Sequence, residues 1–273
     1  MLKCLLICLL PCALSAFELA PWFTPLAEFN LSSSYSCRKG LGPWFDQRYS
    51  SYLPRKKGFS DCLLGFNLGV TFRPHWDCQI GTRFYERRRS FHMQWIGMQV
   101  RHLMMNDVAG DPLSLAIGGQ LLFSSHRHAA LDPGVPYYGI CNAELGVSAG
   151  KEVAKLYDWR CRGYAFLGLG SNIFGPFWLR PLLSGEIKCG QHHRYELFAQ
   201  GYFDRDPHCV LPIIESYRAK SRQCIDVGVG YLYAFKIWGS FGIRYTHRVY
   251  AKSIPSKHLK ILTFEYTLPF SIF

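Results

Sequence analysis

Residues 61–85, DCLLGFNLGVTFRPHWDCQIGTRFY, decide the fold class of this chain. On both sides of Pro74 apolar residues alternate with polar residues or glycine, which is the period of a β-strand with one apolar face. Proline lacks an amide hydrogen and suits the tight turn between two strands. A hairpin turning at Pro74 places Val70 opposite Cys78 and keeps the apolar pairs on one face. The stretch therefore predicts an antiparallel hairpin.

The same period of two recurs along the rest of the chain. We predict twelve strands, with ten or fourteen as the alternatives. Two of the segments, 91–103 and 178–189, are irregular in phase, so we expect a β-bulge in each. The predicted strands cover residues 26–37, 61–73, 76–85, 91–103, 114–125, 137–149, 157–170, 178–189, 193–203, 223–235, 237–248 and 259–272.

A soluble β-sandwich also shows alternating strands, so the residue types on the two faces of the strands must distinguish it from a membrane barrel. The polar face carries charges flanked by glycine, such as Asp226 with Gly228 and Gly230, which suits a wet lumen. The other face is almost uniformly apolar, with aromatic residues near strand ends, and the connections alternate between short and long. The sequence therefore predicts an all-β fold, a transmembrane antiparallel up-and-down barrel in an outer membrane.

The first residues predict export. Lys3 precedes an apolar run at 4–14, and small residues follow at Ser15 and Ala16. This order is typical of a cleaved signal peptide, and the run is too short for a transmembrane helix. We expect residues 1–16 to be the signal peptide, cut after Ser15 or Ala16, and residues 17–273 to form the barrel.

The polar face predicts which charged side chains line the lumen. Both signs occur there, which favours a narrow or poorly conducting pore over a wide channel. The expected lumen residues are Glu28, Asp61, Asp77, Arg83, Glu144, Arg160, Arg162, Glu186, Lys188, Arg194, Glu196, Asp226 and Arg244, and Lys260 is placed with them.

The excess positive charge falls in the predicted outer connections. They hold seventeen Lys and Arg against six Asp and Glu, which accounts for almost all of the net charge of +12. Such a rim would pair with the phosphates of lipopolysaccharide, or would capture anionic glycans on a host surface. Nucleic acid is disfavoured because an exported chain does not meet it. The rim residues are Arg55, Lys56, Lys57, Arg87, Arg88, Arg89, Arg218, Lys220 and Arg222.

An enzyme is the alternative function. Ser90 and His92 share a face at the top of the fourth predicted strand, and Ser124 and His126 do so on the fifth. Serine and histidine side chains in register could hydrolyse a lipid or acyl chain, but no acid or amide is placed to orient a histidine. No histidine or cysteine spacing is typical of a zinc site, so we expect neither a metal nor a cofactor.

Eight cysteines lie beyond the predicted signal peptide, and an exported chain meets an oxidising compartment. Cys78, Cys141, Cys161 and Cys189 fall on the apolar face, where a thiol is a small hydrophobic group. We expect Cys37 and Cys209, placed in the two longest outer connections, to be the best candidates for a disulfide within or between chains.

The opening FELAPWFTPLAEF at 17–29, followed by a strand, resembles the start of cysteine-containing outer-membrane proteins of chlamydia-type bacteria. The resemblance covers about 25 residues and the use of cysteine. It implies a surface barrel linked by disulfides to other envelope proteins, and it carries over no catalytic residue. Together these patterns predict a structural or narrow porin-like surface protein rather than an enzyme.

Overall fold

The computed structural model describes residues 17–43, 56–87, 90–124, 140–155, 159–172, 177–205, 223–235, 238–252 and 258–271. These residues form twelve strands and one turn of 3-10 helix, Asp107–Ala109. No helix among them is long and apolar enough to cross a membrane. The strands are β1 (Glu28–Pro43), β2 (Lys56–Arg73), β3 (Trp76–Arg87), β4 (Ser90–Met105), β5 (Ser114–Ser124), β6 (Cys141–Lys155), β7 (Trp159–Asn172), β8 (Phe177–Cys189), β9 (His193–Arg205), β10 (Gln223–Ala234), β11 (Ser240–Lys252) and β12 (Lys260–Ser271).

Each strand pairs antiparallel with its neighbours in sequence, and β1 pairs with β12 to close the barrel. Both chain ends of the barrel, Glu28 and Ser271, lie at the end where the connections are short, which we call the short-turn end. The opposite end, with the connections at 44–55, 125–139 and 206–222, is the long-connection end. The predicted fold class and the count of twelve strands are confirmed.

The hairpin of β2 and β3 has the predicted register. Val70 pairs with Cys78 and Phe66 pairs with Thr82, and the register shifts by one residue only between Thr71 and Arg73 beside the turn. Because a slip of one residue would turn the apolar face to the lumen, the alternation together with the turn at Pro74 was enough to determine this register.

One of the two expected bulges is present. In β4 the register with β3 shifts so that Arg83 pairs with Trp95 while Phe84 pairs with Met93, and both Gln94 and Trp95 are buried. The bulge expected in the 178–189 segment is wrong, because β8 keeps one register with β7 throughout. That segment looked irregular because apolar Trp178 and Leu182 lie on its inner face.

The barrel has its apolar side chains outside and its polar side chains inside. Leu145, Leu169 and Leu197 are 73%, 64% and 65% exposed, whereas the inner Gln79 and Gln120 are each 4% exposed. Exposed apolar residues recur on every strand, which is the surface that lipid covers in a membrane-spanning barrel. The chain is thus built as an outer-membrane-type barrel.

Several strands continue further towards the long-connection end than the sequence predicts. β1 runs to Pro43 and β2 begins at Lys56, so part of the segment expected to be a loop is strand. Near this end polar residues occupy both faces, and the contrast between lipid and water that marks a strand in the sequence is lost.

Candidate functional site: the barrel lumen

The lumen is the candidate functional site, and its walls are bridged by ion pairs. Arg101 Nη2 lies 2.8 Å from Asp77 Oδ2, and Arg248 Nε lies 2.7 Å from Asp226 Oδ1. All four side chains are buried, so each charge is compensated by its partner rather than by bulk water. These pairs join neighbouring strands and leave no net charge where they lie.

Glu144 of β6 is the centre of a buried hydrogen-bonded group in the lumen. Its Oε2 accepts from the indole Nε1 of Trp178 at 2.9 Å, and its Oε1 accepts from Nε2 of Gln120 at 2.9 Å. The guanidinium of Arg180 donates to both carboxylate oxygens. Glu144 is 3% exposed, so this group is a structural crosslink of β5, β6 and β8.

A second set of charges lines the half of the lumen nearer the short-turn end. Glu186 Oε2 lies 3.2 Å from Arg194 Nε, and Glu186 Oε1 lies 3.8 Å from Arg162 Nη1. Glu196 Oε2 accepts from Arg244 Nη2 at 2.8 Å. Acidic and basic side chains are therefore mixed in this part of the wall, and Arg160, Lys188 and Arg194 occupy paired inner positions on β7, β8 and β9.

An apolar cluster lies inside the barrel among these charges. Phe17, which precedes the first strand, packs with its ring centroid 6.1 Å from that of Trp95. The cluster also includes Trp178 and Tyr202, whose ring centroids are 6.4 Å apart. Phe17 is 2% exposed, so a residue from outside the strands occupies the interior of the barrel.

The residues after Phe17 continue through the lumen towards the short-turn end. The amide of Glu18 donates to Gln79 Oε1 at 2.9 Å, and Arg101 Nη1 donates to the carbonyl of Ala20 at 2.6 Å. Leu19 packs against a second inner cluster made of Phe166, Leu182 and Phe198. Residues 17–24, which we call the N-terminal segment, thus contact opposite walls of the barrel.

The N-terminal segment is anchored where it enters the barrel. Trp22 Nε1 donates to Asp107 Oδ1 at 2.9 Å, and the Arg162 guanidinium lies 4.8 Å from the Trp22 ring centroid. Burial raises the pKa of Asp107, but hydrogen bonds from Ser114, the Glu152 amide and Trp22 outweigh it, so this pKa lies below its ordinary value. The anchor is therefore ionised at neutral pH.

All thirteen residues expected to line the lumen lie on the inner faces of their strands. Arg83 lies with its guanidinium 5.1 Å from the Trp95 ring centroid, and Arg160 Nε lies 3.8 Å from Glu152 Oε2. Lys260 does not lie with them, because it shares the outer face of β12 with Leu262 while Ile261 is buried inside. The course of the N-terminal segment could not be predicted, because its apolar residues have no strand period.

The proposed hydrolase residues are only partly within the described structure. Ser124 is buried on the inner face beside Trp95, its register partner. His92 is exposed, with its ring centroid 5.5 Å from that of Tyr85. The side chain of Ser90 and the whole of His126 lie outside the described residues.

Part of the basic outer rim belongs to the lumen instead. Arg38, which the sequence placed in an outer connection, and Arg248, which it placed at the boundary between a strand and a connection, lie in β1 and β11 and are 2% and 3% exposed. Arg38 Nη2 lies 2.6 Å from Asp61 Oδ2, so the hairpin partner neutralises it. The side chains of the other rim residues lie outside the described residues: Arg55, Lys56, Lys57, Arg87, Arg88, Arg89, Arg218, Lys220 and Arg222.

The cysteines need one correction. Cys37 lies within β1, not in a connection, because β1 extends six residues beyond the predicted end. Its register partner is Cys62 of β2, and the two Sγ atoms are 3.6 Å apart. Cys209 lies outside the described residues. Cys224 is buried in the lumen with Phe17, and the described residues contain no group of three His, Cys, Asp or Glu that could hold a metal.

No protein-family model and no curated protein matches this chain. Its structure is similar to that of an outer membrane channel from Pseudomonas putida F1, with a TM-score of 0.60 and 8% sequence identity, over 90% of this chain and 97% of that chain. It is also similar to the NanC porin, with a TM-score of 0.55 and 8% identity, over 87% of this chain and 98% of that chain. At these identities the likeness shows a shared fold, the closed barrel of outer-membrane proteins.

Proposed function

We propose that the chain serves in an outer membrane as a narrow, porin-like barrel whose lumen is held nearly closed by its own N-terminal segment. The observation that carries the proposal is the course of residues 17–24 through the interior, from the anchor at Trp22 to the cluster around Phe17. Twelve strands lie between the roughly eight of barrels filled by side chains and the 16–18 of porins with an aqueous channel, so an extra length of chain takes up much of the remaining space.

The lumen wall supports a narrow passage for small polar solutes rather than for one class of ion. Carboxylates and guanidinium groups pair with each other, as in Glu144 with Arg180 and Glu196 with Arg244. A selective pore instead presents a ring of one charge to the passing ion. The predicted signal peptide cleavage would leave the mature chain starting at Ala16 or Phe17, which would put its first residues inside the barrel.

An enzymatic role has less support from the described residues. Ser124 is buried beside Trp95, where a lipid substrate on the outer surface would not reach it. The exposed His92 ring lies against Tyr85, with the ring centroids 5.5 Å apart, and Ser124 lies on the inner face. We propose that the chain is not a hydrolase, and we expect Ser124→Ala and His92→Ala to leave outer-membrane lipids unchanged in acyl content.

Flux of uncharged sugars into liposomes tests the proposed function. Liposomes containing the refolded protein should swell slowly with a monosaccharide and not measurably with a trisaccharide. Rapid entry of the trisaccharide would contradict a lumen filled by the N-terminal segment.

Capture of anionic glycans by the outer rim is a separate proposal. Binding of heparin at low salt, compared between the native protein and the Arg55→Ser, Lys56→Ser, Lys57→Ser variant, tests it.

A further inference from the structure

Basic side chains occupy paired outer positions on three adjacent strands, β1, β12 and β11. Lys39 of β1 pairs with Lys260 of β12, and Lys260 pairs with His247 of β11. Each of these residues lies an even number of positions from the lipid-facing residues of its own strand, as Lys260 does from Leu262 on β12. All three side chains therefore lie on the outside of the barrel. Lys39, Lys260 and His247 form what we call the basic row.

The basic row lies at the height where the apolar surface ends. From Phe29 to Lys39 the outer face of β1 runs ten residues, and the strand's rise and tilt make this about 25 Å along the barrel axis. That is the height of the apolar band of an outer-membrane barrel, although on β11 the apolar outer face continues past His247 to Val249, which is 55% exposed. On β2 the next residue in the row is Ser60, which pairs with Lys39 and follows the apolar positions from Phe72 to Cys62.

The basic row has no acidic partner on the described outer surface of its strands. The outward positions of β11, β12, β1 and β2 within the described residues hold no Asp or Glu, and the outward Glu86 of the neighbouring β3 lies near Cys62. Two lysines directly opposite each other across a strand pair repel one another. The buried Nδ1 of His247 also has no hydrogen-bond partner among the described groups.

We propose that the basic row binds a phosphate of a phosphorylated glycolipid in the outer leaflet. The lysine stems can lie along the apolar barrel while their ammonium groups reach the headgroup level, where a phosphate would relieve their repulsion. The imidazole of His247 would contribute one further donor. The acyl chains would then lie against the outer side chains of β12 and β11, among them Leu262 and Ile243.

A lipid fits this place better than a free anion. The row opens onto the outside of the barrel and adjoins Leu262, which is 39% exposed, and Tyr245, which is 39% exposed. A ligand with both a phosphate and acyl chains would satisfy the charges and the apolar surface together, whereas inorganic phosphate would satisfy the charges alone. This inference rests on the proposed location of the barrel in an outer membrane.

Native mass spectrometry of the full folded protein, titrated with lipid A and with its dephosphorylated form, tests the site. The Lys39→Gln, Lys260→Gln double variant should bind lipid A about tenfold more weakly or worse, because two charge-assisted contacts are lost. His247→Ala should weaken binding less. The matched control is Arg73→Gln, Lys155→Gln, which removes the same charge at the short-turn end.

Three results would overturn the site: equal affinity of the native protein for both lipid forms, equal loss of affinity in the control variant, and displacement of lipid A by millimolar inorganic phosphate. Insertion of the native protein into vesicles tests the proposed function separately. A barrel that inserts but does not distinguish the two lipids would refute the basic row alone, and a protein that does not insert would refute the proposed function.

Discussion

The rings of Phe17 and Trp95 lie 6.1 Å apart inside the barrel, one from the N-terminal segment and one from the inner face of β4. The contact depends on the bulge in β4, which turns both Gln94 and Trp95 inward. A strand irregularity thus forms part of the cavity that holds the N-terminal segment, and several consequences can be measured.

The anchor at the short-turn end should depend on pH. Because the pKa of Asp107 is depressed in the folded protein, its stabilising contribution is present above the unfolded pKa and is lost as pH falls through the lower folded value. We expect Asp107→Asn to increase hydrogen exchange of residues 17–24 at pH 7, and to have no effect below the folded pKa. Hydrogen exchange measured by mass spectrometry, with each variant compared at the same pH, checks this.

The exposed Asp111, which accepts a hydrogen bond from the Asn106 amide in the same turn, supplies the control. Asp111→Asn should leave the exchange of residues 17–24 unchanged. An effect of Asp107→Asn that is equally large at both pH values would show that its charge is not what anchors Trp22.

A buried ion pair should be costly to break on one side. Arg248→Met leaves Asp226 without its guanidinium in a buried position and should lower the free energy of unfolding by about 3–5 kcal/mol. The double variant Arg248→Met, Asp226→Leu should recover most of this loss. Denaturant unfolding of the barrel in lipid measures both.

Arg194, whose side chain is 36% exposed, gives the comparison for that ion pair. Arg194→Met should cost clearly less than Arg248→Met, because Arg194 is partly hydrated and Glu186 keeps a second guanidinium, that of Arg162, at 3.8 Å. A similar small cost at both arginines would mean that the lumen around Asp226 is open to solvent.

The two faces of β2 should respond differently to a charge. Leu68 is 41% exposed on the outer face, and Asn67 lies beside it on the inner face, hydrogen-bonded to Gln79 at 3.1 Å. Leu68→Arg should destabilise the barrel in lipid by about 2–4 kcal/mol, whereas Asn67→Arg should be mild. Equal costs in the same denaturant assay would contradict the assignment of the outer face to lipid.

Cys37 and Cys62 should form a disulfide in the exported protein. They are register partners with Sγ atoms 3.6 Å apart, and paired strands hold Cα atoms at a separation that a disulfide can bridge. Two thiols would join with loss of two protons, and the two electrons would pass to a disulfide-carrying thiol oxidase of the envelope. Peptide mapping of alkylated, unreduced protein should find the 37–62 link.

The same peptide map distinguishes Cys62 from Cys209, the partner that the sequence favoured for Cys37. A link from Cys37 to Cys209 would contradict the pairing across β1 and β2. Cys62→Ser should free Cys37 for alkylation, and Cys78→Ser, a change on the same outer surface, should not.

The sequence predicted the strands best where lipid lies on one side and water on the other. The hairpin around Pro74 is an example, since its alternation and its proline turn together predicted the pairing of Val70 with Cys78. Where both surroundings are polar the alternation carries little information. This is why Arg38 was expected in a connection, and Arg248 at the boundary of one, although both are paired inside the barrel.

The sequence analysis did not predict that the lumen is filled, because apolar residues at inner positions look like breaks in the alternation of apolar and polar residues. One signal was present: large inner rings stand beside glycines on the paired strand. Trp178 pairs with Gly170 and Phe198 pairs with Gly228, and a Cβ at either glycine would lie 2.0 Å or 2.3 Å from the ring. A large residue and a glycine at paired inner positions could therefore have indicated a filled interior.

The single-channel conductance of the refolded protein, compared with that of a variant lacking residues 17–24, tests the central claim most directly. The account predicts a small or absent conductance for the native protein and a several-fold larger, stable one for the variant, with heat-modifiable migration in detergent gels showing that both barrels are folded. An equal conductance in the two folded proteins would contradict the claim that the N-terminal segment closes the lumen.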